Sequence, residues 1–239
     1  MRRIVVLAAI LVRDLFRSLA GIVPLAAALA FGLIAFEYGM DQAQFITVAG
    51  VGTGSLGVST TLLLASRANR GWFYPLIARL ERRSELPAAL VVGGLAVTAL
   101  LAVLITAGNL AAGRLSLHLP SALWILPTWL AAWLLGLCLA LPLSTLIAQG
   151  GSHLAGWVLL SALLVTQDQK VNLQAHGLEL LVRAVGVVLW PITTLLARAS
   201  AGIHDQDYFL ALGLTLAFGA VLFVLAVGSF EDKDLLWPE

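Results

Sequence analysis

The sequence predicts an all-α polytopic membrane protein, and three observations carry that prediction. Hydrophobic residues make up 60% of the 239-residue chain without counting its 22 glycines, and charged residues only 11%. Soluble domains hold about 45–50% apolar residues with glycine included and about 25% charged ones. The runs 20–36, 45–65, 86–107, 121–148 and 208–230 contain no Asp, Glu, Lys or Arg. Each is near the ~17–25 residues that a helix needs to cross ~30 Å of hydrocarbon, where a charge costs at least ~2.5–3.5 kcal/mol. Finally, five of the 14 Lys and Arg, namely Arg67, Arg70, Arg79, Arg82 and Arg83, crowd into one connection between two of those runs.

Taken in order, residues 1–19 read as an N-terminal amphipathic helix. Ile4, Ala8, Leu11, Val12, Leu15 and Leu19 gather on one side of a helical wheel, and Arg13, Asp14 and Arg17 on another, with Val6 and Ile10 among the charges. That pattern suits a helix lying in the headgroup layer. Arg2-Arg3 before an apolar stretch imitates a signal peptide, but the charges at Arg13, Asp14 and Arg17 follow where a small-residue cleavage site belongs. Spans 1 and 2 follow at 20–36 and 45–65. In the second, Gly50, Gly54 and Gly57 share a helix face, where missing side chains let another helix approach closely.

The connection 66–85 is the densest polar stretch of the chain. Trp72, Phe73 and Tyr74 lie among its arginines, and Pro75 opens a segment whose Leu76, Ile77 and Leu80 form an apolar stripe with Arg79, Glu81, Arg82 and Arg83 outside it. Proline suits a first helical turn, so residues 75–83 are expected to form a short amphipathic helix. Ordinary positive-inside charge with interfacial aromatics accounts for the same composition, but the other inner connection is only a few residues long, and a connection that spends a whole helix and an aromatic cluster reads rather as a docking element.

Spans 3 and 4 are expected at 86–107 and 121–148, and a shorter span at 151–166 after Gly150-Gly151. Residues 178–199 hold Glu179 and Arg183 early and Trp190-Pro191 in the middle. Proline removes a donor and crowds the preceding turn. One kinked span and two half-helices both fit; we expect a re-entrant hairpin before the last span, 208–230. The tail, 230–239, follows. With six spans and a cytoplasmic N-terminus, ten of the 14 Lys and Arg fall inside and Arg114, Lys170, Arg183 and Arg198 outside, placing both termini in the cytoplasm. The whole chain, 1–239, reads as one transmembrane unit of a plasma (inner) membrane.

Catalytic motifs are imitated rather than met. The run from Gly52 to Ser59 has P-loop spacing, but Val58 stands where a lysine must reach the phosphates. Gly57-Val58-Ser59 lacks the second glycine of a serine-nucleophile turn. His118, His153, His176 and His204 have no metal-ligand spacing, Cys138 has no partner for a disulfide, and no paired acids suit Mg²⁺. No metal, cofactor, nucleic acid or enzymatic activity is indicated for this chain.

In layout the sequence resembles a permease subunit of an ABC transporter of the type 2 exporter class. The resemblance runs along the whole chain: residues 1–19 as the arm, 66–85 as the coupling loop between spans 2 and 3, 178–199 with Trp190-Pro191 as the hairpin, and 230–239 as the tail. It implies a second permease chain, the same or different, and a separate ATPase that holds ATP and Mg²⁺ and docks on the loop. Members often carry an acidic-x-Gly-Thr signature there; this loop reads RANRGWFYPLIARLERR, so no subfamily follows. The absence of charge within the five runs favours a lipid-like or amphipathic cargo over a small ion. Two other classes fit the composition: an assembly or scaffold subunit, which needs only packing faces, and a secondary transporter, which would call for buried charges or paired broken helices.

Overall fold

A computed structural model describes residues 2–38, 41–69, 73, 77, 80–115, 119–147 and 175–231. Those residues form seven α-helices and no strands. The helices are α1 (Arg2–Phe16), α2 (Ile22–Tyr38), α3 (Gln42–Ala68), α4 (Glu85–Ala111), α5 (Leu119–Ala140), α6 (Glu179–Ser200) and α7 (Gln206–Glu231). Five stretches are long and apolar enough to cross a membrane: Gln42–Ala68, Glu85–Ala111, Leu123–Ala140, Glu179–Ser200 and Gln206–Phe230.

Helix boundaries follow from local chemistry. Asp41 caps α3, its carboxylate accepting from the Gln44 amide at 2.7 Å. Pro87 falls in the first turn of α4, where its missing N–H has no intrahelical partner to lose. Gly113 (φ +65°) and Gly202 (φ +70°) end α4 and α6 in the left-handed conformation that glycine adopts most cheaply. Between α1 and α2 the chain turns through a 3-10 segment, Leu19–Gly21. A Cβ on Gly21 would lie 2.7 Å from the Leu15 carbonyl oxygen, so only glycine lets α2 start this close to the end of α1.

Two buried clusters mark the two ends of the bundle. One joins Leu7, Leu11 and Leu15 of α1 to Leu64 and Ala68 of α3, Leu86 and Leu90 of α4, Leu141 and Leu146 after α5, and Ala226 and Phe230 of α7. We call this the arm end. The other joins Phe45 and Ala49 of α3, Ala102 of α4, Trp129 and Trp133 of α5, Leu195 and Ala199 of α6, and Tyr208 and Ala211 of α7. From α3 to α7 the helices therefore alternate in direction. A 22-residue helix is ~33 Å long, so α6 begins toward the arm end and returns along α7.

Three expectations need correction. Residues 178–199 are one continuous helix, not two half-helices: α6 runs unbroken through Trp190 and Pro191. Proline deletes the donor that the Val187 carbonyl would accept from, and the helix survives because α7, α3 and α5 pack along it. Over the expected first span lies a 17-residue helix, Ile22–Tyr38. The fourth ends at Ala140, with 141–147 in turns around Pro142. Finally, 81–84 is bend and turn rather than the end of a helix; the Leu80 amide donates to the Ile77 carbonyl at 3.1 Å. The expected span at 151–166 and the tail beyond Glu231 lie outside the described residues.

Candidate functional site

The arm end is where the predicted loop meets the rest of the protein. α1 presents Leu7, Ala8, Leu11 and Leu15 as its buried stripe, while Val5 and Val6 stay exposed. The stripe lies on α4 and α3: the Val12 methyl and the Ala8 carbonyl approach Gly93 of α4. The arm thus packs on protein along one face. Leu19, expected on that face, is exposed because the helix stops at Phe16, where the Ser18 hydroxyl donates to the Leu15 carbonyl at 2.7 Å.

Ion pairs tie the arm to the loop at both of the loop's ends. Asp14 accepts from Nε of Arg67, and both side chains are largely removed from solvent. Arg3 pairs with Glu81 at 2.6 Å, with both side chains well exposed. The exposed pair is worth at most ~1 kcal/mol, since water screens it. The Asp14–Arg67 pair is different in kind, because removing either partner leaves the other charge poorly solvated.

Between these anchors, Phe73 is completely buried and Ile77 nearly so, both within the arm-end cluster. The loop is pinned by its apolar residues into a core shared by α1, α3, α4 and α7. Glu81, Arg82 and Arg83 are exposed beside it. Arg70, Trp72, Tyr74, Pro75 and Arg79 lie outside the described residues.

Gly50 and Gly54 of α3 face α5, and Gly57 faces α4. A Cβ on Gly50 would lie 2.6 Å from Nε1 of Trp129, and one on Gly54 would lie 3.4 Å from Cδ1 of Trp133. One on Gly57 would collide with the Thr98 hydroxyl of α4. The tryptophans dock by hydrogen bonds as well as by area: Nε1 of Trp129 donates to the Ile46 carbonyl at 2.9 Å, and Nε1 of Trp133 donates to Thr53 Oγ1 at 3.1 Å. Buried indoles with a satisfied N–H fix both depth and register of α5 on α3.

At the opposite end, Arg198 pairs with Asp205 at 3.0 Å and Asp207 at 2.7 Å, closing the turn between α6 and α7. Trp124 stacks on His204 with ring centroids 4.5 Å apart, and the Tyr208 hydroxyl meets Thr128 at 3.0 Å. Glu179 and Arg183 lie exposed on the first turns of α6, with no ion pair between them among the described residues. Trp190 is exposed and Pro191 buried.

Sequence reasoning missed Asp14, Trp129 and Trp133. Asp14 reads as part of a solvated face, and its partner is 53 residues away. The tryptophans had one signal, their i, i+4 spacing within a charge-free run, which matches that of Gly50 and Gly54. Among the described residues no three His, Cys, Asp or Glu come together as metal ligands. At the arm end an exposed turn carrying Arg82 and Arg83 lies near the buried cluster that holds Phe73 and Ile77. No family model, no curated protein and no solved structure matches the chain.

Proposed function

We propose that this chain is the membrane-spanning subunit of an ATP-driven transporter, and that residues 66–85 receive the motion of a separate ATPase. The supporting observation is the burial of Phe73 and Ile77 in the same cluster as Leu64, Leu86 and Phe230. A displacement of the loop is thereby passed to α3, α4 and α7 together rather than absorbed by a slack linker. In this reading the loop and both chain ends face the cytoplasm, a second permease chain completes the path, and ATP and Mg²⁺ belong to the partner.

An exported apolar or amphipathic cargo suits the interior. The buried hydroxyls of Thr60, Thr98 and Thr215 donate to carbonyls of the preceding turn and so present methyl groups rather than charge. The test is copurification in detergent with an ATPase carrying a Walker motif, from wild type and from a variant with Arg79, Arg82 and Arg83 changed to Glu. The variant is expected to insert normally and lose the ATPase. Retention of the ATPase at normal yield together with continued transport would sink the docking role. Copurification of other membrane subunits without any ATPase would favour a scaffold instead.

A further inference from the structure

A groove of about 370 Å³ runs between α2 and α4, lined among others by Leu25, Leu29, Gly32 and Phe36 of α2 and by Leu101 and Gly108 of α4. Leu25 and Leu29 stand exposed along it. From Leu25 to Phe36 it follows ~16 Å of helix, about the depth of one leaflet of a hydrocarbon core ~30 Å thick. Glycine weakens a helix and is favoured in a span where another helix comes close, yet neither glycine here is crowded. A Cβ on Gly32 would lie 3.8 Å from Cγ1 of Ile105, and one on Gly108 would meet nothing within 4 Å. The missing side chains hold the groove open. A whole helix of that length, ~10 Å across, would fill ~1,200 Å³, whereas a single acyl chain is thin enough for the space between α2 and α4.

The groove ends beside a positive charge. The Arg114 guanidinium lies over the Phe36 ring, 5.2 Å from its centroid, just past the glycine that closes α4. Arg114 is exposed and takes part in none of the ion pairs among the described residues, although Glu37 stands at the same end of the bundle. Asn109, which also lines the groove, turns its amide back to the Ile105 carbonyl at 2.9 Å. We infer that this groove holds one acyl chain of an anionic phospholipid whose phosphate pairs with Arg114. The chain lies along the leucines for the depth of its own leaflet. The phosphate meets the forked donors of the guanidinium, at the end of α4 where the hydrocarbon gives way to headgroups. A zwitterionic lipid carries its own cation beside its phosphate, so it compensates Arg114 less than a lipid of net negative charge does.

The inference does not depend on the transport reading, and its test does not measure transport. The full chain is purified in detergent micelles doped with a low level of phosphatidylglycerol or phosphatidylcholine, each bearing one photoactivatable acyl chain, and the adducts are mapped by peptide mass spectrometry. Adducts are expected on residues 25–36 and 101–109, with a yield there about fivefold higher for the glycerol lipid, the upper worth of one exposed ion pair. Arg114→Gln should remove that preference at the groove. Gly108→Leu, whose Cβ enters open space, should cut the groove adducts of both lipids. Equal labelling of the groove by the two lipids in the unaltered protein, or a preference there that survives in Arg114→Gln, overturns the inference. So does a groove that takes no adduct, and a dimer that Gly108→Leu dissociates would then make a second copy of the chain its occupant. The map on the unaltered protein stands even if a variant fails to fold.

Discussion

At Gly50 the distance to a neighbour decides what a mutation does. Alanine there would gain up to ~1 kcal/mol of helix propensity, but its Cβ would fall 2.6 Å from the Trp129 indole nitrogen. That nitrogen is anchored on the Ile46 carbonyl, so the ring cannot retreat without losing a buried hydrogen bond. Overpacking costs ~1–3 kcal/mol and wins. Gly50→Ala should therefore lower the melting temperature in detergent, whereas Gly54→Ala, with 3.4 Å to its nearest neighbour, keeps the propensity gain and should leave it unchanged or slightly raised. Val51→Leu, at an exposed position, should stay within ~0.5 kcal/mol. Equal effects at all three sites would mean that α5 does not sit where Trp129 places it. The same reasoning separates the two ion pairs: Asp14→Asn should cost ~1.5–3 kcal/mol, the loss of a charge-assisted hydrogen bond out of bulk water, and Arg3→Gln less than ~1 kcal/mol.

At the scale of the element, the arm is the piece whose attachment can be measured on its own. Hydrogen exchange over residues 2–16 should accelerate about tenfold or more in Asp14→Asn, following the ~1.5–3 kcal/mol above, while exchange in the middle of α4 stays unchanged. Uniform acceleration would show that the pair stabilises the whole bundle and not the docking of α1. Elements were legible in the sequence to the degree that a local signal defined them. The charge-free runs gave α3, α4 and α7 nearly to their ends, because excluding charge from hydrocarbon is a per-residue cost. α1 was visible through its periodicity, but what it packs on was not, since a wheel reveals a face and never the partner. α6 was misread because Trp190-Pro191 looks like a break, and a helix supported on several sides tolerates one lost hydrogen bond.

At the scale of the whole molecule, the direction of each helix becomes testable. Single cysteines at Ala175, Ser200 and Gln206 in a Cys138→Ala background can be labelled with a membrane-impermeant reagent. Ala175 is exposed just before α6, while Ser200 and Gln206 flank the turn at its far end. If α6 crosses the membrane, position 175 reacts from the side on which α1 lies, and positions 200 and 206 react from the other. A hairpin would place all three on one side. Global topology was the least legible level, because the count of inner and outer charges is the same for six spans as for seven, and only the packing of α6 against α7 distinguishes the ends.

The arm-end cluster also orders events in time. α1 is synthesised before α3 and α4, which bury it, and well before Phe230, which closes the cluster at the end of α7. Contacts between residues so far apart in sequence form late, after the loop-closure entropy between them has been met. Until α3 and α4 have been made, the apolar stripe of α1 has no protein to cover it, and the membrane surface offers a newborn helix of that kind a place to wait. A chain stopped at residue 84 should therefore leave the arm open to protease, while the complete chain resists cleavage between residues 2 and 16.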